Sequence, residues 1–324
     1  MIKIGAVVAT GGPVALLGNS FLKAIQLAKE DLKSTTNQYE FVIEEILSPD
    51  QSEPAIERLI KIHNVNALVV GLSMSGQIAK AHATATKIPL FCICSVSSVG
   101  DELYTFTIMP LAEDEAIQWA DEARKRRIKR IARLTQDYPS IDNHVRAFEG
   151  GDSEGRNRIR LRRQVPSNND GFPIADRGRP GELSRRVFCR GVQPSLDILG
   201  QQLMDARIRS LASVVAFSVS ERPELFEGGW YTDSYVSPEF KARLDQKYPA
   251  SRFATHMMPY AYDSFKMLVQ AFESGQDVLS YVRNMTEYSG TAGKITKQSG
   301  TGNFRSSPAV WVIKNGKPTL AHPI

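Results

Sequence analysis

At 324 residues, with 42% hydrophobic and 23% charged side chains, the chain has the composition of a soluble globular protein and the length of two domains. No apolar run approaches the ~18 residues of a membrane-spanning helix. The net charge of +5 is local, because residues 146–190 hold 11 arginines, no lysine and 6 acids while the remainder is neutral; nucleic acid is therefore not an expected partner.

In chain order, "IKIGAVVATGGPVALLGNSF" runs a β-branched stretch into a glycine loop and then a helix, the layout of a phosphate-binding turn. Its spacing excludes one. Five residues separate Gly12 from Gly18, Asn19 stands where a P-loop lysine belongs, and Gly11, Gly12 and Gly18 do not make G-x-G-x-x-G. A strand-to-helix turn with Pro13 fixing the backbone accounts for the loop. "YEFVIEEI", "NALVVGL" and "IPLFCICS" read as further strands, and "SFLKAIQLAKEDLK", "PAIERLIKIHN" and "SGQIAKAHATAT" as the helices between them. "DEAIQWADEARKRR" is a helix with acids early and bases late, matching its dipole, and "IKRIARLT" a following strand. Strands alternating with helices imply a parallel sheet.

Residues 148–190 interrupt this order with Arg, Gly and Pro and few apolar residues. The stretch reads as a disordered or basic arm, or as the product of a compensated reading-frame shift; "IRLRRQVP" makes a poor strand and "RVFC" a short good one. Beyond it the rhythm resumes with "QPSLDILGQQLMDARI", "EGGWYTDSY", "PEFKARLDQKY" and "YAYDSFKMLVQAFESG", and "PAVWVIKNGKPTL" reads as a strand pair about an Asn-Gly turn. Cys92 and Cys94 lie in an apolar C-x-C run and, like Cys189, suit buried packing. The five scattered histidines form no H-E-x-x-H, so neither a metal nor any other cofactor is expected.

Several of these stretches together resemble the type I periplasmic binding proteins of the leucine/isoleucine/valine family, the solute receptors of ABC importers. The likeness rests on the glycine loop with its flanking strand and helix, on "SPDQSEPAIERLIKIHNVNALVVGLSMSGQIAKAHATATKIPLFCICS", on "YAYDSFKMLVQAF" and on the glycine-rich stretch before the WVI strand. It implies an α/β fold of two lobes, each a largely parallel sheet flanked by helices, with a ligand cleft between them. The implied division is 1–117 plus 251–305 for one lobe and 118–250 plus 306–324 for the other.

A free amino acid or carboxylate needs hydroxyls and backbone N–H groups for its carboxylate, and a helix start supplies both. Ser73 and Ser75, between a strand end and a helix start, offer this; Ser75 also suits a plain cap, and the two roles are compatible. The resemblance adds Ser95 and Ser97 in the next strand-end loop, Tyr138 in "TQDYPS" as a cleft residue, and Glu227 in "LFEGGWY" as the acid for a substrate ammonium. Leu17 and Gln193 stand near positions where relatives carry tyrosine, which leaves the side-chain pocket open to aromatic or other ligands. The implied function is binding of a branched-chain or other hydrophobic amino acid for import, without catalysis, by a monomer that delivers ligand to a membrane permease. The alternatives are a receptor for an aromatic or aliphatic carboxylate lacking an amine, and a cytoplasmic sensor on the same fold. The resemblance implies a periplasmic location, and a native Met1 a cytoplasmic one.

Overall fold

The computed structural model describes residues 1–32, 34–128, 130–136, 141, 144–147, 160–162, 186–249 and 251–322. The expected cleft residue Tyr138 and most of the 148–190 segment lie outside them. Two compact units emerge, Met1–Leu111 with Ser234–Ser307, and Ala112–Asp233 with Pro308–Ile324.

The chain opens with strand β1 (Ile2–Ala9), helix α1 (Ala15–Glu30), β2 (Tyr39–Ile46), α2 (Ser52–Lys61), β3 (Ala67–Gly71), α3 (Ser73–Thr86), β4 (Leu90–Ile93) and β5 (Thr105–Ile108). It crosses into the second unit as α4 (Ala112–Lys125), β6 (Arg130–Thr135), β7 (Arg160–Arg162), β8 (Arg186–Arg190), α5 (Ser195–Asp205), β9 (Ser210–Val214), the short α6 (Ala216–Val219) and β10 (Trp230–Asp233). The first unit is completed by α7 (Pro238–Lys247), α8 (Met258–Glu273), α9 (Val278–Asn284), β11 (Glu287–Gly290), β12 (Gly293–Lys297) and β13 (Asn303–Ser306). The second ends with the hairpin β14 (Ala309–Lys314) and β15 (Lys317–Leu320).

The first sheet has the order β11-β12-β13-β5-β4-β3-β1-β2 and the second β15-β14-β10-β9-β8-β6-β7. From β13 to β2 and from β10 to β7 every pairing is parallel, and the antiparallel strands are added at one edge of each sheet. The α/β class expected from the strand-helix rhythm is the one observed. Continuous apolar runs became the central strands: β3 is buried along its whole length, as a strand covered on both faces must be.

The boundaries between units differ from those expected. The second crossing falls at 233/234 rather than 250/251, because α7 belongs to the first unit: Arg243 pairs with Asp31 at 2.8 Å, Lys247 pairs with Glu30, and Phe240 packs on Tyr262 with ring centroids 4.9 Å apart. The first crossing falls at 111/112 rather than 117/118, because the whole of α4 packs on the second sheet, with Trp119 stacked on Trp230 at 5.3 Å. The third falls at 307/308 rather than 305/306.

The glycine loop is held by close backbone approach. A Cβ on Gly18 would stand 2.0 Å from the Ala9 carbonyl oxygen, and one on Gly11 2.5 Å from that of Leu47. Gly12 adopts φ +53°, which an L side chain rarely tolerates. These glycines let the chain turn tightly between β1 and α1.

Candidate functional site

In open α/β sheets ligands sit at the carboxyl ends of the strands, so each unit was read at that end. In the first unit the ends of β3 and β4 lie side by side, with Gly71 opposite Ile93 and the Leu72 N–H donating to the Ile93 carbonyl at 3.1 Å. Leu72 turns the chain from β3 into α3 at φ 74°, ψ 144°, a region almost reserved for glycine. Such a backbone costs of the order of 1–3 kcal/mol and clusters at functional sites. The helix that follows has no side-chain cap, and its first-turn N–H groups have no acceptor within the helix.

Ser73 is the half-buried first residue of α3, and Ser95, also half-buried, follows β4. The structure brings these two loops together through the Gly71–Ile93 pairing. Ser97 is exposed at the start of a single 3-10 turn, Ser97–Val99. Ser75 behaves differently from expectation. Its hydroxyl is 1% exposed and shares a 2.8 Å hydrogen bond with the Ser52 hydroxyl, so it ties α3 to α2 and does not cap the helix.

Beneath this end the packing is tight and neutral. A Cβ on Gly76 would stand 2.2 Å from the Cys92 sulfur. Burial, with Cys94 beside it, pushes the Cys92 thiol well up from its ordinary pKa, so it stays protonated. A separate cavity of about 580 Å³ opens at the ends of β1 and β2, lined by Thr10, Leu47, Gln51 and Arg58 among others, and none of the four serines borders it.

The second unit is built otherwise. Arg190 and Asp233 are the last residues of β8 and β10, and Glu115 sits in the first turn of α4. Glu115 and Asp233 are fully buried, with carboxylate oxygens within 4.8 Å of one another. The Arg190 guanidinium, 7% exposed, donates through Nη1 to the Val214 carbonyl. Burial pulls its pKa down to about 10, and Glu115 and Asp233 pull the other way. Ser218 donates to Asp233 at 2.8 Å, and His144 pairs with Glu115. Val215, between β9 and α6, holds φ +61° although it is β-branched.

Glu227 is not part of this cluster. It precedes β10, at the amino end of the strand, and its carboxylate accepts the Asn315 N–H at 3.0 Å and the Gly316 N–H at 2.9 Å. It therefore secures the β14–β15 hairpin at the opposite end of the sheet from Arg190 and Asp233, and the ammonium role expected of it has no support in the geometry. Sequence reading missed Glu115, Arg190, Asp233 and Ser218. The available signal was an arginine and an aspartate closing otherwise buried strands, "RVFCR" and "WYTD".

Two parallel sheets flanked by helices, each with its polar groups gathered at the strand ends, define the type I periplasmic-binding-protein fold. Residues 1–149 match the family described as periplasmic binding protein, and that part of the chain belongs to it. No curated protein sequence matches the chain. Among solved structures, the leucine-binding protein LivK of Thermotoga maritima superposes with a TM-score of 0.80 at 18% identity, over 99% of this chain and 98% of that one. The branched-chain amino acid binding protein LivJ of Streptococcus pneumoniae, in complex with isoleucine, gives 0.82 at 16% identity, over 98% and 97%. An ABC-transporter solute-binding protein of R. palustris, in complex with 4-hydroxybenzoate, gives 0.79 at 21% identity, over 99% and 96%. The family and these neighbours are binding proteins rather than enzymes.

Proposed function

We propose that the protein is the solute-binding component of an ABC-type importer, exported to the periplasm and serving a membrane permease, and that its ligand is a small carboxylate. The observation that carries the reading is the neutral end of the first sheet. The uncapped first turn of α3 presents N–H groups, the helix dipole is positive there, and the Ser73 and Ser95 hydroxyls flank it. Ser97 lies on the rim of the same loop. Ser75 contributes through its backbone, its hydroxyl being engaged by Ser52. An amine on the ligand is not required: the carboxylate expected to hold one, Glu227, serves a hairpin instead. Amino acids and amine-free aromatic or aliphatic acids are thus both within the ligand class, as they are among the neighbours.

A thermal-shift panel of isoleucine, leucine, benzoate and 4-hydroxybenzoate tests this. A ligand at 100 times its Kd adds about 2.7 kcal/mol of stability. Ser73→Ala and Ser95→Ala should each weaken the best ligand by about 1–3 kcal/mol through lost hydrogen bonds to a buried charge. A chain whose melting temperature none of these acids raises at millimolar concentration is not a carboxylate receptor.

A further inference from the structure

We infer that the strand-end cluster of the second unit recognises a hydroxyl group, so that the ligand is a hydroxylated acid. This rests on the reading of the protein as a carboxylate receptor and adds what the far end of the ligand must be. The starting point is Arg190. Its side chain is 7% exposed, it faces Glu115 and Asp233, and its Nε–H has no acceptor among the described residues. A buried N–H without an acceptor is costly, and in a binding protein it marks a place for a ligand oxygen.

The neighbours decide which oxygen. Two buried carboxylates with oxygens within 4.8 Å of one another stand beside the guanidinium, and Asp233 already accepts from Ser218 at 2.8 Å. An anionic oxygen, a second carboxylate for instance, would satisfy the Nε–H but would be set against Glu115 and Asp233 with only one guanidinium to share. An ammonium would suit the carboxylates but has no lone pair for the Nε–H and would be repelled by Arg190. A hydroxyl does both: its oxygen accepts from Arg190 Nε and its hydrogen donates to a carboxylate, with no net charge added. A site built to pair a hydroxyl also rejects the analogue lacking it, because its own polar groups are then left unpaired.

Titration calorimetry with benzoate, 4-hydroxybenzoate and terephthalate, and with isoleucine as the amine-bearing control, tests the inference. The expected ranking is 4-hydroxybenzoate at least tenfold tighter than benzoate, with terephthalate weaker than benzoate. Arg190→Lys keeps a cation beside the two carboxylates but has no Nε–H, and should collapse the hydroxyl advantage to within twofold. Arg190→Lys is to be checked for folding by circular dichroism; if it does not fold, the three-ligand ranking in the unaltered protein decides. Benzoate and 4-hydroxybenzoate binding equally, terephthalate binding most tightly, or a hydroxyl advantage that survives Arg190→Lys each overturn the inference. If isoleucine or benzoate binds without any hydroxyl preference, the carboxylate reading stands and only the inference falls. If no acid in the panel binds, the carboxylate reading itself is wrong.

Discussion

The carboxyl ends of the two sheets solve opposite problems. In the first unit that end is neutral: serine hydroxyls, helix N–H groups and a protonated thiol at Cys92. In the second it carries buried charge, with Glu115, Asp233 and Arg190 drawn from three different elements. A neutral end lined with donors can receive a charge, because the ligand brings the only ion and finds dipoles already aimed at it. An end that already holds opposed charges receives a neutral group better, because any further ion must be balanced in a medium that screens poorly. The difference says that the polarity of each end is complementary to a different part of one ligand.

The strongest way to break this contrast is to remove the cation. Arg190→Leu leaves Glu115 and Asp233 buried without it, and breaking a buried ion pair by removing one partner costs about 3–5 kcal/mol. Urea denaturation at pH 7 should show a loss of that size, and the loss should shrink in acid, where one carboxyl takes up a proton. A variant as stable as the parent would mean that Arg190 does not balance the two acids.

The first unit contains its own control for that argument. Asp263 on α8 is buried, and its carboxylate accepts from Thr291 N at 2.9 Å, Thr291 Oγ1 at 3.0 Å and Ala292 N at 2.9 Å, with no cation among the causes of its shift. Burial outweighs those hydrogen bonds and pushes its pKa up to about 6. A carboxyl with a raised pKa binds its proton more tightly folded than unfolded. Its effect is therefore most favourable below the unfolded value of 3.8 and is lost as pH rises through about 6, a change of about 3 kcal/mol. Glu273 has the opposite sign. Its hydrogen bond from Tyr39, with those from Thr36 and Asn37, holds it down at about 2, so its contribution is present above 4.5 and lost as pH falls toward 2. Asp263→Asn should flatten the stability profile between pH 4 and 6 and leave the acid limb to Glu273. An unchanged profile would show that Asp263 is not the group titrating there.

A smaller effect sharpens the neutral end. Gly76→Ala drives a methyl to 2.2 Å from the Cys92 sulfur, and overpacking of this kind costs about 1–3 kcal/mol. Because α3 must then lift from β4, carboxylate affinity should fall with stability. Cys92→Ala in the same chain makes the room and should restore both. Additive losses in the double variant would show that the two residues do not share that space.

Much of the fold was legible in the sequence where the signal is local. β1 and β2 have the bounds their apolar runs suggested, and the β14–β15 hairpin turns at Asn315–Gly316 with φ 52° and 65°, as an Asn-Gly pair favours. β5 (TFTI) and β9 (SLASV) went unread because they are short and carry Thr or Ser at positions that only the finished sheet buries. The site divided the same way. The serine loops were readable because each follows a strand directly. The charged cluster was not, because Glu115, Arg190 and Asp233 are distant in sequence and meet only through the order of strands in the second sheet. Glu115 in particular sits among the early acids of α4, which the helix dipole alone explains.

Glu227 gives the smallest effect and the cleanest separation of the two ends. An acid beside a glycine, just ahead of a strand, fits a ligand-binding loop by pattern, yet loops before and after a parallel strand lie at opposite ends of the sheet. Glu227 lies before β10, and both its carboxylate oxygens accept hairpin N–H groups at the Asn315–Gly316 turn. Position and hydrogen bonding therefore agree that it acts on the fold. Glu227→Ala should cost about 1 kcal/mol of stability, the net worth of hydrogen bonds at an exposed turn. The affinity for isoleucine, benzoate or 4-hydroxybenzoate should stay within twofold of the parent. If Glu227 instead held a ligand ammonium, truncation would remove one partner of an enclosed charge pair and cost about 2–5 kcal/mol, about 30-fold or more in affinity. Calorimetry resolves a twofold change from a 30-fold one, and isoleucine is the ligand to use because only it among the three carries an amine. A 30-fold loss confined to isoleucine would return the ammonium to Glu227 and move part of the ligand site to the amino end of the second sheet.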